Sequence, residues 1–267
     1  MIFNAKNGVV ELRDGEMEYI RFGRGSRVLV ILPGLGDGLR TAKGTALPMA
    51  VMYRIFQKDF TVYVFSRRMN QPVGHNTRDM ARDVAEAMGC LGITHADVLG
   101  VSMGGMIAQY LALDHGDRVN KLVLVVTSSR SNPVLEESIG EWMDCVERDD
   151  HTGLMVSNLR RIYSESYCRN NQWMVPLLAR LTKPKSYDRF RIQAKACLDH
   201  DAYDSLRNIK SPTLVIGGEK DLALGGGASV EIAERIPGAR LLMYPQWGHG
   251  LYEEAKDFNQ VIFEFLI

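Results

Sequence analysis

Long apolar runs are missing from this chain: nowhere do its 267 residues approach the ~18 to 20 consecutive apolar side chains that a membrane-crossing helix needs. The first residues, Met1-Ile2-Phe3-Asn4-Ala5-Lys6-Asn7-Gly8, lack the basic segment and apolar stretch of an export signal. The expectation is an unsecreted, cytoplasmic protein with no membrane span. Excess charge is missing too. Lys and Arg number 32 and Asp and Glu number 32, so the electrostatic footprint of a nucleic-acid or membrane-surface partner is not there. Cysteine is scarce. Cys90, Cys145, Cys168 and Cys197 have no C-x-x-C spacing and read as reduced thiols rather than a disulfide framework. No cluster of His, Cys and Asp has ligand spacing, so no metal is expected. Internal repeats and low-complexity tracts are absent as well.

What the chain does hold is an alternation of short apolar strands with helical patterns. Val9 to Arg13 and Glu16 to Phe22 read as an antiparallel pair joined at Asp14-Gly15. Strands then follow at Val28 to Leu32, Thr61 to Ser66, Asp97 to Val101 and Leu122 to Thr127, separated by helical stretches near Ala46 to Gln57, Thr77 to Gly89 and Met103 to His115. Such alternation predicts a parallel sheet covered by helices on both faces. From about Ser128 to Arg207 the strand signal gives way to helical periodicity, and it resumes at Thr213. The organisation expected is a core over 1–127, a helical insertion over 128–207 forming a cap above the strand ends, and the rest of the core over 208–267. Catalytic residues of such sheets lie on loops at the C-terminal ends of the strands.

One of those ends carries Gly100-Val101-Ser102-Met103-Gly104, between an apolar strand and a helix. In that context G-x-S-x-G is a nucleophile elbow: a sharp turn that holds the serine hydroxyl at its tip, with glycine required where side chains would strike neighbouring backbone. A serine hydroxyl attacks a carbonyl only when a base removes its proton, which calls for a histidine and a carboxylate to orient it. His249 has fitting surroundings, after the strand-like Arg240 to Tyr244 and the loop Pro245-Gln246-Trp247-Gly248. His75 and His95 precede the serine, in a loop and at a turn, and His115 sits near a helix C-terminus, where the dipole favours a cation; all three read as structural. For the carboxylate, Thr213 to Gly217 is a β-branched run ending in Gly218-Glu219-Lys220-Asp221. Asp221 is the better candidate and Glu219 the alternative.

An attacked carbonyl also needs N–H donors for its developing negative oxygen. The backbone of Met103, directly after the serine, supplies one. The other is expected from Leu35, in the loop Pro33-Gly34-Leu35-Gly36-Asp37-Gly38 that follows the Arg27 to Leu32 strand. That glycine loop does not fit a dinucleotide fingerprint, because its third glycine comes one residue early and no acidic residue closes a following strand. No cofactor is expected.

Taken together, Leu32-Pro33-Gly34-Leu35-Gly36, Gly100 to Gly105, Gly217 to Asp221 and Trp247-Gly248-His249-Gly250 make the chain resemble the α/β-hydrolase fold family. The resemblance is to the lid-bearing type that includes esterases, thioesterases, carbon–carbon bond hydrolases and cofactor-free haloperoxidases. It implies a mostly parallel eight-stranded sheet flanked by helices, with an inserted helical cap. It implies Ser102 as nucleophile, His249 as base, Asp221 as acid, Leu35 and Met103 as oxyanion donors, and Gly34, Gly36, Gly100 and Gly104 as shaping glycines. One departure is Pro33-Gly34, where many members carry His-Gly. The implied activity is serine esterase chemistry on a small-molecule acyl substrate. Alternatives are carbon–carbon cleavage, peptide-terminal hydrolysis or perhydrolysis with the same triad, or a ligand sensor that signals through its cap. Within the insertion, Trp142, Met143, Met155, Tyr163, Tyr167, Trp173, Met174 and Phe190 could line an acyl pocket, though the expectation for most is packing of the insertion onto the core.

Overall fold

The computed structural model describes residues 2–267. An antiparallel pair, β1 (Lys6–Leu12) and β2 (Gly15–Gly23), opens the fold. Leu12 pairs with Gly15, so the connecting residues are Arg13 and Asp14 rather than Asp14 and Gly15. Gly15, with φ 141°, is already the first residue of the returning strand.

Six more strands complete one sheet: β3 (Arg27–Leu32), β4 (Phe60–Phe65), β5 (Ala96–Val101), β6 (Val119–Val125), β7 (Thr213–Gly218) and β8 (Arg240–Tyr244). Their order is β1-β2-β4-β3-β5-β6-β7-β8, and every pairing from β4 to β8 is parallel. Parallel strands must be covered on both faces, and the residues alternate accordingly. Val30, Leu32 and Val98 point into one core with helices α2 (Thr77–Cys90) and α3 (Met103–Asp114). Leu29, Ile31, Leu99 and Val101 point into the other, with α1 (Ala46–Met52) and, at the chain's end, Phe258, Ile262 and Leu266. This two-sided burial is why the central strands read as unbroken apolar runs instead of alternating ones.

The helical stretch expected from Ala46 to Gln57 is divided. α1 ends at Met52, and a tighter turn at Arg54–Phe56 carries Phe56 into the core. α2 starts on a capping box in which the Asn76 side chain accepts from the Asp79 N–H and Asp79 accepts from the Asn76 N–H.

Between β6 and β7 run five helices: α4 (Pro133–Glu147), α5 (His151–Ile162), α6 (Glu165–Asn171), α7 (Val175–Thr182) and α8 (Asp188–Leu198). Their starts are written locally. Asn132 caps α4 ahead of Pro133, Asp150 caps α5 and Ser164 caps α6. After β7 come α9 (Gly227–Arg235), then β8, α10 (Leu251–Glu254) and α11 (Phe258–Leu266). No helix among the described residues is long and apolar enough to cross a membrane, and all four cysteines are free.

Candidate active site

Ser102 stands alone between β5 and α3 with φ 55° and ψ −123°. A non-glycine residue in that region is strained by about 1–3 kcal/mol and persists only where its surroundings over-determine it. Here β6 does so. The Ser102 N–H donates to the Val125 carbonyl at 2.9 Å, and the Thr127 hydroxyl donates to the Ser102 carbonyl at 2.7 Å. The flanking glycines are sterically required. A Cβ on Gly100 would come within 2.5 Å of the Gly104 carbonyl oxygen, and one on Gly104 within 1.9 Å of the Leu32 carbonyl oxygen. Gly34 sits close enough that its Cβ would lie 3.3 Å from the Ser102 Cβ, whereas Gly36 faces open space.

His249 and Asp221 meet at the far end of the same sheet edge. Asp221 follows β7 and His249 follows β8, and His249 Nδ1 lies 2.8 Å from Asp221 Oδ2. The other carboxylate oxygen accepts from the N–H groups of Ala223 and Leu224 at 2.8 and 2.9 Å. Both side chains are buried, so the carboxylate is fixed on both oxygens and holds the ring in one orientation. The backbone beside them is tied down by Lys220 N–H to Trp247 O at 3.1 Å and Gly250 N–H to Ile162 O at 2.6 Å. Glu219, the alternative acid, points to solvent. No hydrogen bond joins Ser102 to His249 among the described residues, but both line one cavity. Contacts of this kind often tighten only when substrate binds.

The other histidines are placed elsewhere. His75 pairs with Asp83 at 2.8 Å, His95 is exposed, and His115 follows the last turn of α3. His151 and His200 are buried within polar contacts to Tyr187 and Thr77.

On the opposite wall, the loop after β3 runs as a tight turn over Leu35–Gly38. Leu35 and Met103 each begin a helical turn, the position whose N–H has no partner within the helix. The cavity measures about 630 Å³. Trp142, Met155, Tyr163, Tyr167, Met174 and Phe190 line it from the inserted helices. Trp142 and Phe190 at the same time belong to the hydrophobic core, with Met143 packed against it; Met143 and Trp173 of that set stay outside the lining. Among the described residues no three His, Cys, Asp or Glu side chains gather closely enough to hold a metal ion.

Three features escaped sequence reasoning. Thr127 props the Ser102 turn, Asp37 joins its loop to α8 through Arg189 at 2.8 Å, and Glu253 lines the cavity. Only Glu253 had a signal in the chain, four residues beyond His249.

Strand order, the strained serine at the strand–helix turn and the helices inserted after β6 are those of an α/β hydrolase. The family model for the alpha/beta hydrolase fold matches residues 27–256, and the chain belongs to that family. By family it is a hydrolase. It is similar to a Caulobacter sp. (strain K31) protein named "Putative carbamate hydrolase RutD", at 28% identity over 204 residues, which covers 75% of each chain. Among solved structures it superposes on the enol-lactonase from Burkholderia xenovorans LB400 with a TM-score of 0.82 at 22% identity, covering 97% of this chain and 99% of that one. The esterase EaEST from Exiguobacterium antarcticum gives 0.77 at 21% identity, covering 98% and 99%. At those identities the two structures speak for the fold.

Proposed function

We propose that the protein is a serine hydrolase of the carboxylesterase kind, cleaving an ester-like bond of a small to medium acyl substrate. The observation that carries this reading is the buried Asp221–His249 pair on the cavity that the strained Ser102 also lines. With Nδ1 engaged by Asp221, Nε2 is the ring nitrogen left to move a proton.

In the proposed cycle, His249 Nε2 takes the Ser102 hydroxyl proton as Oγ bonds to the carbonyl carbon. The N–H groups of Leu35 and Met103 receive the oxyanion. Collapse breaks the bond to the leaving group, which takes the proton from His249. Water, deprotonated by the same nitrogen, then attacks the acyl-enzyme and releases the acid and Ser102. Asp221 stays ionised, holding the tautomer and balancing the imidazolium charge. The insertion over 128–207 acts as a cap that supplies pocket walls. Its apolar lining and a volume of about 630 Å³ suit a medium acyl chain.

A fluorophosphonate should add one covalent mass to the peptide holding Ser102. In Ser102→Ala that label disappears, and p-nitrophenyl ester turnover falls by on the order of 10⁴ to 10⁶ in kcat. Labelling that persists in the alanine variant overturns the assignment.

A further inference from the structure

Folded chains withdraw large apolar side chains from water, and the stretch that leads into and forms α7 does not. Trp173 is 72% exposed, Leu177 60%, Leu178 39% and Leu181 71%. Four of the twelve large apolar side chains exposed among the described residues thus fall within positions 173–181, a concentration that marks an interaction surface rather than scatter. The backbone is helical from the tight turn Gln172–Met174 on through Thr182, so Trp173, Leu177 and Leu181, four residues apart, form one outward stripe. The Trp173 indole N–H already donates to the Asn170 carbonyl at 3.0 Å. Its ring can therefore enter an apolar medium without stranding a donor.

The other side of the same helix faces inward. Met174, Val175 and Leu178 line the cavity that Ser102 lines, and Val175 and Ala179 are buried. A helix that is apolar all round belongs in apolar surroundings on every side, and α7 has them on one side only. Leu178 is both exposed and part of the cavity lining, so the stripe and the cavity meet at its rim.

Charge around the stripe selects what covers it. From Ser166 to Tyr187 the chain holds no Asp or Glu, whereas Arg169, Arg180, Lys183 and Lys185 fall in that stretch, a local excess that the whole-chain balance of 32 against 32 conceals. All four are exposed. Among the described residues only Lys183 pairs with a carboxylate, that of Asp149 at 2.6 Å. A second copy docked on this stripe about a two-fold axis would bring two positive rims together, which is unfavourable. Anionic headgroups above acyl chains match both parts, since the chains accept Trp and Leu while the headgroups attract Arg and Lys. Tryptophan is the residue that favours that boundary.

We propose that the outer face of α7 docks the protein onto an anionic lipid surface. Trp173, Leu177 and Leu181 enter the acyl boundary, Arg169, Arg180 and Lys185 meet the headgroups, and the cavity rim at Leu178 is turned to the lipid. The docking does not depend on the hydrolase reading above; it sets the cavity beside a reservoir of acyl chains.

Co-sedimentation with sucrose-loaded vesicles tests this, using phosphatidylcholine alone and a phosphatidylcholine–phosphatidylglycerol mixture. The full chain should bind the mixed vesicles at least about tenfold more tightly than phosphatidylcholine. Brominated acyl chains in the mixed vesicles should quench its tryptophan fluorescence, and Trp173→Phe should remove most of that quenching. Replacing both Leu177→Ser and Leu181→Ser should weaken binding by at least about tenfold, and replacing both Arg169→Gln and Arg180→Gln should bring the two vesicle types to within about threefold of each other. All four side chains are exposed, so the urea midpoint should not move. No binding of the wild type to either vesicle overturns the docking without any variant, and binding that survives the double serine change overturns the assignment to α7. Equal affinity for the two vesicle types overturns the role of the basic rim. A concentration-dependent dimer in sedimentation velocity that the double serine change dissolves puts a second copy on the stripe in place of lipid.

Discussion

Asp37, in the loop after β3, is ion-paired at 2.8 Å with Arg189 at the start of α8. The same carboxylate oxygen accepts the Arg67 backbone N–H at 3.0 Å and the Gln193 side chain at 3.4 Å. Arg67, fully buried just beyond β4, turns its guanidinium to the Pro33 and Phe65 carbonyls. Burial pushes its pKa down, and the charge of Asp37 opposes that shift. The loop that carries Leu35 is therefore held from beneath by the end of β4 and from above by the inserted helices.

Asp37→Ala should accordingly cost about 3–5 kcal/mol of stability, because it strands buried positive charge as well as removing a hydrogen-bond acceptor. Arg189→Met should cost less, since Asp37 keeps its other two donors. Urea unfolding with an unchanged m-value measures both. A loss in Asp37→Ala no larger than about 1 kcal/mol would mean that the cluster behaves as a surface ion pair.

The acid is decided by two amide substitutions. Asp221→Asn preserves shape but can stabilise the wrong His249 tautomer, so ester turnover at neutral pH should drop by on the order of 10⁴ in kcat. Glu219→Gln, on an exposed side chain, should cost less than about tenfold. The opposite ranking would move the role to Glu219.

Acid sensitivity should trace to His200. It is 2% exposed, with Nδ1 2.9 Å from the Thr77 hydroxyl and Nε2 3.3 Å from the Gln109 side-chain oxygen. Burial lowers its pKa to about 3. The unfolded chain takes up a proton near the ordinary histidine value while the folded one does not, so the neutral ring's contribution is intact above about pH 6.5 and is lost as pH falls toward 3. The slope should be about 1.4 kcal/mol per pH unit in that window. In His200→Gln the unfolding free energy should fall less steeply over the same range; an unchanged slope would assign the sensitivity to other groups.

Much of the fold was legible because the signals are local. The buried strands announce themselves as apolar runs, and Ser102 sits in a glycine pattern set by neighbours so near that a Cβ on Gly104 would fall 1.9 Å from the Leu32 carbonyl oxygen. The positions of His249 and Asp221 could be read from the strands that precede them. Thr127, Asp37 and Arg67 could not, since their partners lie far away along the chain; Asp37 and Arg189 are 152 residues apart. The pocket lining could not be read for a related reason. Helical spacing identifies an apolar face without saying whether a sheet or an empty volume lies beneath it.

β6 separates the strand that delivers Ser102 from the strand that delivers Asp221. Neighbouring strands lie about 4.8 Å apart, so those two ends stand roughly 10 Å from each other. That gap is too wide for a hydroxyl and a carboxylate to touch, and it suits an imidazole ring placed between them. The spacing is fixed by counting strands, independently of the side chains that use it. One strand more or fewer between β5 and β7 would leave every short motif of the chain in place while changing how far Ser102 stands from the Asp221–His249 pair, a defect invisible to any search for the motifs themselves.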